Sequence, residues 1–354
     1  MLSAKDKGIF IEFNQFSILA AVTSGLEPPL KVETLKEFSA GLEPAKLQEQ
    51  ITELTAVKKN SYARGHCGIY PPSRFIRRHT VDQPAKMKDA NFFSDLLNNQ
   101  FRIDPEKNSV AILNALDGST FNLEKGYQNQ KELLICGALT EDLQKAQTDI
   151  VQCSVYPETI QLGNISLIAG LKEYSRWAQF NQPTMVLEVT PDTSSLYIFS
   201  SEQFDVSRPI PYGLNSMFPL IQQELGLKDE DSARKLFYSN TFDFTEMGPT
   251  LLRKMLKELQ ASTGFYEVQT GQTIGQVFLS LLPKNLGWIA QVISKALGVK
   301  VLSPDYNGWL KHRQITVSDS VQLETLDSRW FGMFSLMGNY SPDSTASSNG
   351  EKKN

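Results

Sequence analysis

Residues 183–211 read PTMVLEVTPDTSSLYIFSSEQFDVSRPIP. Three short apolar runs separated by polar turns give the pattern of a strand, turn, strand, turn, strand meander. At the start of the chain, GIFIEFNQFSILAAVT (8–23) has the same texture, with two apolar runs around a polar centre at Asn14-Gln15. LEPPL (26–30) is a proline-broken connection, and KVETLKEFSAG (31–41) supplies a third strand to pair with the second. A helix follows each meander. In 44–60, Leu47, Ile51, Leu54 and Val57 fall at helical spacing with charges elsewhere. In 212–227, Pro219 predicts a kink or a break. This echo of meander plus helix, near residues 9 and 186, predicts two related lobes that face a cleft.

The segment between the echoes reads differently. It offers strands at 69–80 and 108–116, a helix at 91–101, a polar turn after residue 116 and a strand at 131–139. A helix at 140–151 with Thr140 as its N-cap and a short strand after residue 153 complete it. The expectation is an α/β fold with these parts: first lobe 1–65, inserted subdomain 66–163, crossover helix 164–182, second lobe 183–305. Residues 306–340 return as strand and helix to the first lobe, and the polar tail 341–354 is expected to be disordered. Within the second lobe, 248–270 predicts one long helix with Pro249 in its first turn. A buried strand (276–282), a helix (285–298), a closing strand from residue 299 and a last apolar helix (329–339) follow.

Composition narrows the function. At 354 residues the chain fits two domains with room for a third, and 41% apolar residues suffice for packed cores. The formal net charge of −4 is spread over both signs, which argues against nucleic-acid binding. Cys67, Cys136 and Cys153 form no CxxC pair and read as buried thiols; His66, His79 and His312 do not cluster with acids, so no metal is expected. No run approaches the roughly 18 apolar residues of a membrane span, and the opening MLSAKDKGIFIEF has no signal-peptide pattern. An intracellular protein without direct membrane insertion is expected. RFIRRHT (74–80) reads as a solvated strand edge in preference to a specific anion site, and Trp330, Phe331 and Phe334 as core packing in preference to an exposed patch.

The two meander turns are where a two-lobed ATPase would hold phosphates and magnesium. Such turns need an Asp to organise the cation and a Gly two residues on, so that backbone N–H groups approach the phosphate. Here the first turn carries Glu12 and Asn14, the second Glu188 and Thr190. Both acids are one methylene too long, and both glycine places carry side chains. Asn14 tolerates positive φ and could keep the turn's shape, whereas β-branched Thr190 before Pro191 does not suit close phosphate approach. Thr193 and Ser194 leave hydroxyls near the second turn. Two readings stand: weak magnesium-nucleotide binding, or two tight hairpins with polar tips. The second is preferred.

The order and texture of the chain resemble the PilM family, actin-like cytoplasmic proteins of type IV pilus assembly, and similar platform proteins of type II secretion. The resemblance is strongest over 186–236, with an Arg-x-Ile-Pro-x-Gly turn (Arg208, Ile210, Pro211, Gly213) and an acid-led helix around Asp231 and Ala233. Residues 131–171 resemble the close of that family's inserted subdomain and the crossover to the second lobe. It implies a mixed α/β, actin-like (ribonuclease H-like) two-lobed fold with a small inserted α/β subdomain. The chain departs from the family at each nucleotide position. Asp-x-Gly is replaced by Glu12/Asn14 and by Glu188/Thr190. The Gly-Gly pair that accepts adenosine is replaced by Leu281-Leu282 in SLLPKNLGW, where Gly287 survives.

These departures predict no cofactor, neither ATP nor magnesium, and no catalytic residue. The resemblance implies a non-catalytic cytoplasmic scaffold, peripheral to the inner membrane through a partner. That partner is the cytoplasmic N-terminal segment of a bitopic platform protein, docking along 69–80 and 108–116; homo-oligomers are compatible with this. The competing expectation is an active ATP-binding member using Glu12 and Glu188 in place of the aspartates.

Overall fold

The computed structural model describes residues 7–58, 61–115, 118, 121, 131–201 and 204–338. The tail expected at 341–354 and most of the polar turn after residue 116 lie outside the described residues.

β1 (Gly8–Phe13), β2 (Ser17–Thr23) and β3 (Leu30–Ser39) form the first meander, each antiparallel to the one before. The helix Pro44–Thr55 buries Leu47 and Ile51 against this sheet, while Leu54 and Val57 are partly buried. β4 (Ala63–Ile69) then adds parallel to β1. The chain leaves through Pro71-Pro72 and builds a separate antiparallel sheet from β5 (Phe75–Thr80), β6 (Asn108–Asn114) and β7 (Glu132–Leu139), in the order β5-β7-β6. It returns by the helix Thr140–Gln152 to β8 (Val155–Leu162), which lies parallel to β4.

The separate sheet therefore begins later and ends earlier than the boundaries 66 and 163 drawn from sequence. β4 and β8 belong to the first lobe's sheet. Gly68 with Pro71-Pro72 makes HCGIYPP read as a connection, and β8, legible as a strand, pairs with β4 rather than with the inserted sheet.

The helix Gly163–Trp177 crosses to the second lobe. There β9 (Thr184–Val189), β10 (Ser194–Phe199) and β11 (Phe204–Ile210) repeat the meander. β12 (Gln276–Ser280) lies parallel to β9 as β4 does to β1, and β13 (Lys300–Val301) pairs with β12. A last short strand, β14 (Ile315–Val317), returns to pair with β3. The two large sheets run β14-β3-β2-β1-β4-β8 and β11-β10-β9-β12-β13. Both carry the order third, second, first meander strand, then parallel strands. This is the two-lobed actin-like fold with a small inserted α/β subdomain.

Several local expectations shift. Thr140 is the first helical residue rather than the cap; the cap position is Leu139, and the Thr140 hydroxyl meets that of Ser109 at 3.0 Å. Pro219 sits in the first turn of a shorter helix, Phe218–Leu225, where its missing N–H leaves no broken bond. The long helix divides at Leu252 into Gly248–Leu251 and Arg253–Thr270. The stretch 91–101 is a helix Phe92–Asp95 that continues as a π-turn over Leu96–Phe101.

Between the two lobes lies a shared apolar layer. Phe10, Leu19 and Ala21 of the first sheet and Val186, Tyr197 and Phe278 of the second pack on the helices Gly163–Trp177, Tyr306–His312 and Arg329–Leu336. Trp309 stacks on Phe331 at 4.3 Å between ring centroids, and Trp330, Phe331 and Phe334 are buried as the sequence predicted. Gly213 of the Arg-x-Ile-Pro-x-Gly turn also has a physical reason. A Cβ there would stand 2.5 Å from the Pro191 carbonyl oxygen, so the turn rests directly on the tip of the β9–β10 hairpin.

Candidate functional site

The cleft between the lobes is reached by both meander turns. In the first, Asn14 is not among the residues with positive φ. Its side chain closes the turn instead: Oδ1 accepts the backbone N–H groups of Phe16 and Ser17, both at 2.9 Å. The second turn does the same with a hydroxyl. Thr190 Oγ1 donates to the Thr193 carbonyl at 2.8 Å and accepts the Thr193 N–H at 3.3 Å. Three of the turn amides a phosphate would require are thus already bonded within the turns. Thr193 is exposed, and Ser194 Oγ donates to the Tyr212 carbonyl at 2.7 Å.

Glu12 and Glu188 occupy equivalent places, the fifth residue of β1 and of β9. Both are buried, Glu12 at 1% exposure and Glu188 at 0%. Burial drives the Glu12 pKa up to about 8; the Tyr70 phenol facing it pulls the other way, and the nearby Glu188 charge adds to the rise. Glu12 is therefore mostly protonated at neutral pH, and neither of its oxygens has a partner in hydrogen-bonding geometry. Its carboxyl lies against the helix Arg329–Leu336, where a Cβ on Gly332 would stand 2.8 Å from Oε2.

Glu188 is paired with Arg74, a contact between two nearly inaccessible side chains (7% and 0%). Arg74 begins the run that reads from sequence as a solvated strand edge; that expectation is corrected. Its Nη1 also donates to the carbonyls of Pro71 (2.8 Å) and Tyr70 (3.3 Å), and its guanidinium lies 5.5 Å from the centre of the Tyr70 ring. Burial is the largest single effect and opposes the Arg74 charge, but Glu188, with Tyr197 and Tyr70, together outweighs it and the pKa is raised. Arg78, in the same run, donates to Glu132 at 2.8 Å within the inserted sheet. It also reaches Asp205 of the second lobe at 3.1 Å, and Asp205 accepts from Tyr266 at 3.0 Å. Two arginines of the inserted subdomain thus tie it to the second lobe.

Arg74 Nε, Glu188 Oε2, Asn164 Oδ1 and Ser280 Oγ are buried without partners beside this pair, as are both Glu12 oxygens. Ser280 is the β12 register partner of Glu188, and Asn164 donates to the Tyr197 hydroxyl at 3.1 Å. The cleft floor is polar and enclosed, and holds both donors and acceptors without partners. Arg74, Tyr70, Asn164 and Tyr197 were not singled out in the sequence, because nothing local in RFIRRHT distinguishes a buried arginine from an exposed one.

The positions expected at the adenosine end lie elsewhere in the cleft. Leu281 is buried and holds φ +68°, a left-handed conformation that favours glycine, so the backbone of a glycine persists beneath a leucine. Leu282 and Gly287 line a cavity of about 420 Å³ with Tyr306 and Asp327. Leu282 forms part of this wall without filling the space.

A second hollow, a groove of about 580 Å³, runs beside the first turn. Its walls are Asn14 and Gln15, the segment Tyr70–Pro72, the helix face Asp142, Lys145 and Asp149, and Pro191-Asp192 of the second lobe. Three acids against one lysine make it acidic. Among the described residues, no three His, Cys, Asp or Glu side chains are grouped to hold a metal, and no helix is long and apolar enough to cross a membrane. The three cysteines are free and buried, and burial pushes the Cys67 and Cys136 thiols up to about 12.

No protein-family model and no curated protein matches the chain. Among solved structures, a chain of a PilM-PilN type IV pilus biogenesis complex shares its fold at a TM-score of 0.67 and 16% identity. That match covers 93% of this chain and 97% of the other. A Bacteroides thetaiotaomicron protein of actin-like ATPase fold and unknown function reaches 0.45 at 13% identity, over 88% and 96% of the two chains. The cytoplasmic domain of EpsL, an inner membrane component of the type II secretion system of Vibrio cholerae, reaches 0.42 at 9%, over 94% and 92%. The first of these carries the assignment of fold.

Proposed function

We propose that the chain is a non-catalytic adaptor of an inner-membrane assembly platform of the type IV pilus or type II secretion kind. It works from the cytoplasmic side and holds the N-terminal cytoplasmic segment of a bitopic membrane protein. The observation that carries the non-catalytic part is Arg74 seated on Glu188. A guanidinium from the chain itself neutralises the acid that a magnesium-nucleotide would need, while Asn14 and Thr190 occupy their turns' own amides. These residues do not fit a phosphate and its cation. The platform part is supported by full-length likeness in fold to a chain of a PilM-PilN complex.

The acidic groove suits an extended segment bearing cationic side chains. In the inserted sheet the Phe121 N–H donates to the β6 carbonyl of Ile112 at 2.9 Å, and the β5 side carries the Arg78–Asp205 tie to the second lobe. The groove is preferred because both proline walls and the charges converge there. The test is calorimetric titration of a candidate platform partner's cytoplasmic N-terminal peptide. Asp149 is exposed, so Asp149→Lys leaves the fold intact and is expected to weaken binding about tenfold or more by reversing one wall's charge. Absence of binding, or equal affinity for both proteins, contradicts the reading. A second reading, an ATP-binding member using Glu12 and Glu188, draws on the cavity beside Leu282 and Gly287.

A further inference from the structure

We propose that the segment Tyr70–Arg74 is a strap that couples the shape of the groove to closure of the two lobes. Tyr70, Pro71 and Pro72 form one wall of the groove, and Arg74, two residues on, is anchored to Glu188 in the second lobe. The strap has little slack. Two prolines fix its backbone φ, and the Arg74 guanidinium holds the carbonyls of Tyr70 and Pro71 while it holds Glu188. Ser73 ties the same strap to the inserted subdomain: its hydroxyl donates to Asp142 on the groove's helix wall and accepts the Leu139 N–H at 3.0 Å. The opposite wall, Pro191-Asp192, follows Glu188 by three and four residues along β9 and its turn. One ion pair therefore sits between two walls of one groove, and the groove has its observed width only with the lobes latched. Linkage then requires that whatever fills the groove strengthens the latch, and that loss of the latch weakens whatever binds there. Only the identity of the occupant rests on the adaptor reading.

The strap is tested without any ligand, so that failure of the adaptor reading and failure of the strap are separate outcomes. Nitroxides are placed at Asp149→Cys and Asp192→Cys, on opposite walls; both positions are exposed, and the three native cysteines are buried. Their distance distribution is measured by pulsed electron resonance in otherwise unaltered protein and in Arg74→Met/Glu188→Gln, which removes both charges and strands neither. The expected result is a narrow distribution in the first and a broader one shifted to longer distance in the second. Arg74→Lys, which keeps the charge on Glu188 but loses the fork to the strap carbonyls, serves if the double variant does not fold and is expected to broaden the distribution partly. Superimposable distributions in the folded proteins overturn the proposal.

Discussion

Arg74→Met is expected to destabilise the protein by about 3–5 kcal/mol at pH 7.5, among the largest losses any single substitution outside the apolar cores would give. The loss comes from Glu188, which stays buried at 0% exposure with its paired arginine removed. A carboxylate in that place is left in a poor solvent without its counter-charge. Replacing both members, Arg74→Met with Glu188→Gln, is expected to recover most of the stability, since a buried pair contributes little net energy over a neutral pair of like size. Urea unfolding of the four proteins of this cycle measures it. Equal stability of Arg74→Met and the parent would mean that the arginine does not hold Glu188 in solution.

Glu12→Gln should act in the opposite direction. The Glu12 pKa is about 8 in the folded protein against 4.5 for the unfolded group. Below pH 4.5 both states carry the proton and the group has no effect on the pH dependence. Between pH 4.5 and 8 the folded state keeps a proton that the unfolded state releases, so stability falls as pH rises, by up to about 1.4 kcal/mol per pH unit. Above pH 8 the loss levels off. A glutamine of the same size never ionises. The variant is therefore expected to match the parent near pH 4.5 and exceed it by roughly 3–5 kcal/mol at pH 8.5. Parallel stability profiles for the two proteins across this range would show Glu12 to be ionised or solvated in the fold.

The two predictions concern residues of different legibility. Glu12 and Glu188 stand out in the sequence because each ends an apolar run before a polar hairpin tip, and the repetition of that pattern identifies the two lobes. The meanders were legible for the same reason, since their strands alternate or are bounded by turn residues. β4 was not, because Gly68 stands inside it and Pro71-Pro72 follow it; β8 was legible as a strand, but its place beside β4 rather than in the inserted sheet was not. Asn14 shows a different limit. Residue type predicted that its backbone could turn left-handed, but the turn is made by its side chain, a choice decided by the two amides that follow it. Leu281 is the converse case, a residue that resists positive φ held there at +68° because β12 and the segment after it fix its position.

Arg74 was the least legible of all. A run with three arginines and a histidine in seven residues reads as solvated, and only the tertiary path sends its first member beneath the second lobe. Burial of an arginine is decided by a partner 114 residues away in sequence, which no local pattern encodes. The same contact separates the two accounts of the cleft, one closed by the chain's own side chains and one closed around a nucleotide. The measurement that divides them most directly is the melting temperature in magnesium-ATP up to millimolar concentration. Closure by Arg74 predicts a flat response, and a rise equivalent to about 2.7 kcal/mol, as a site at one hundred times its dissociation constant gives, would contradict it.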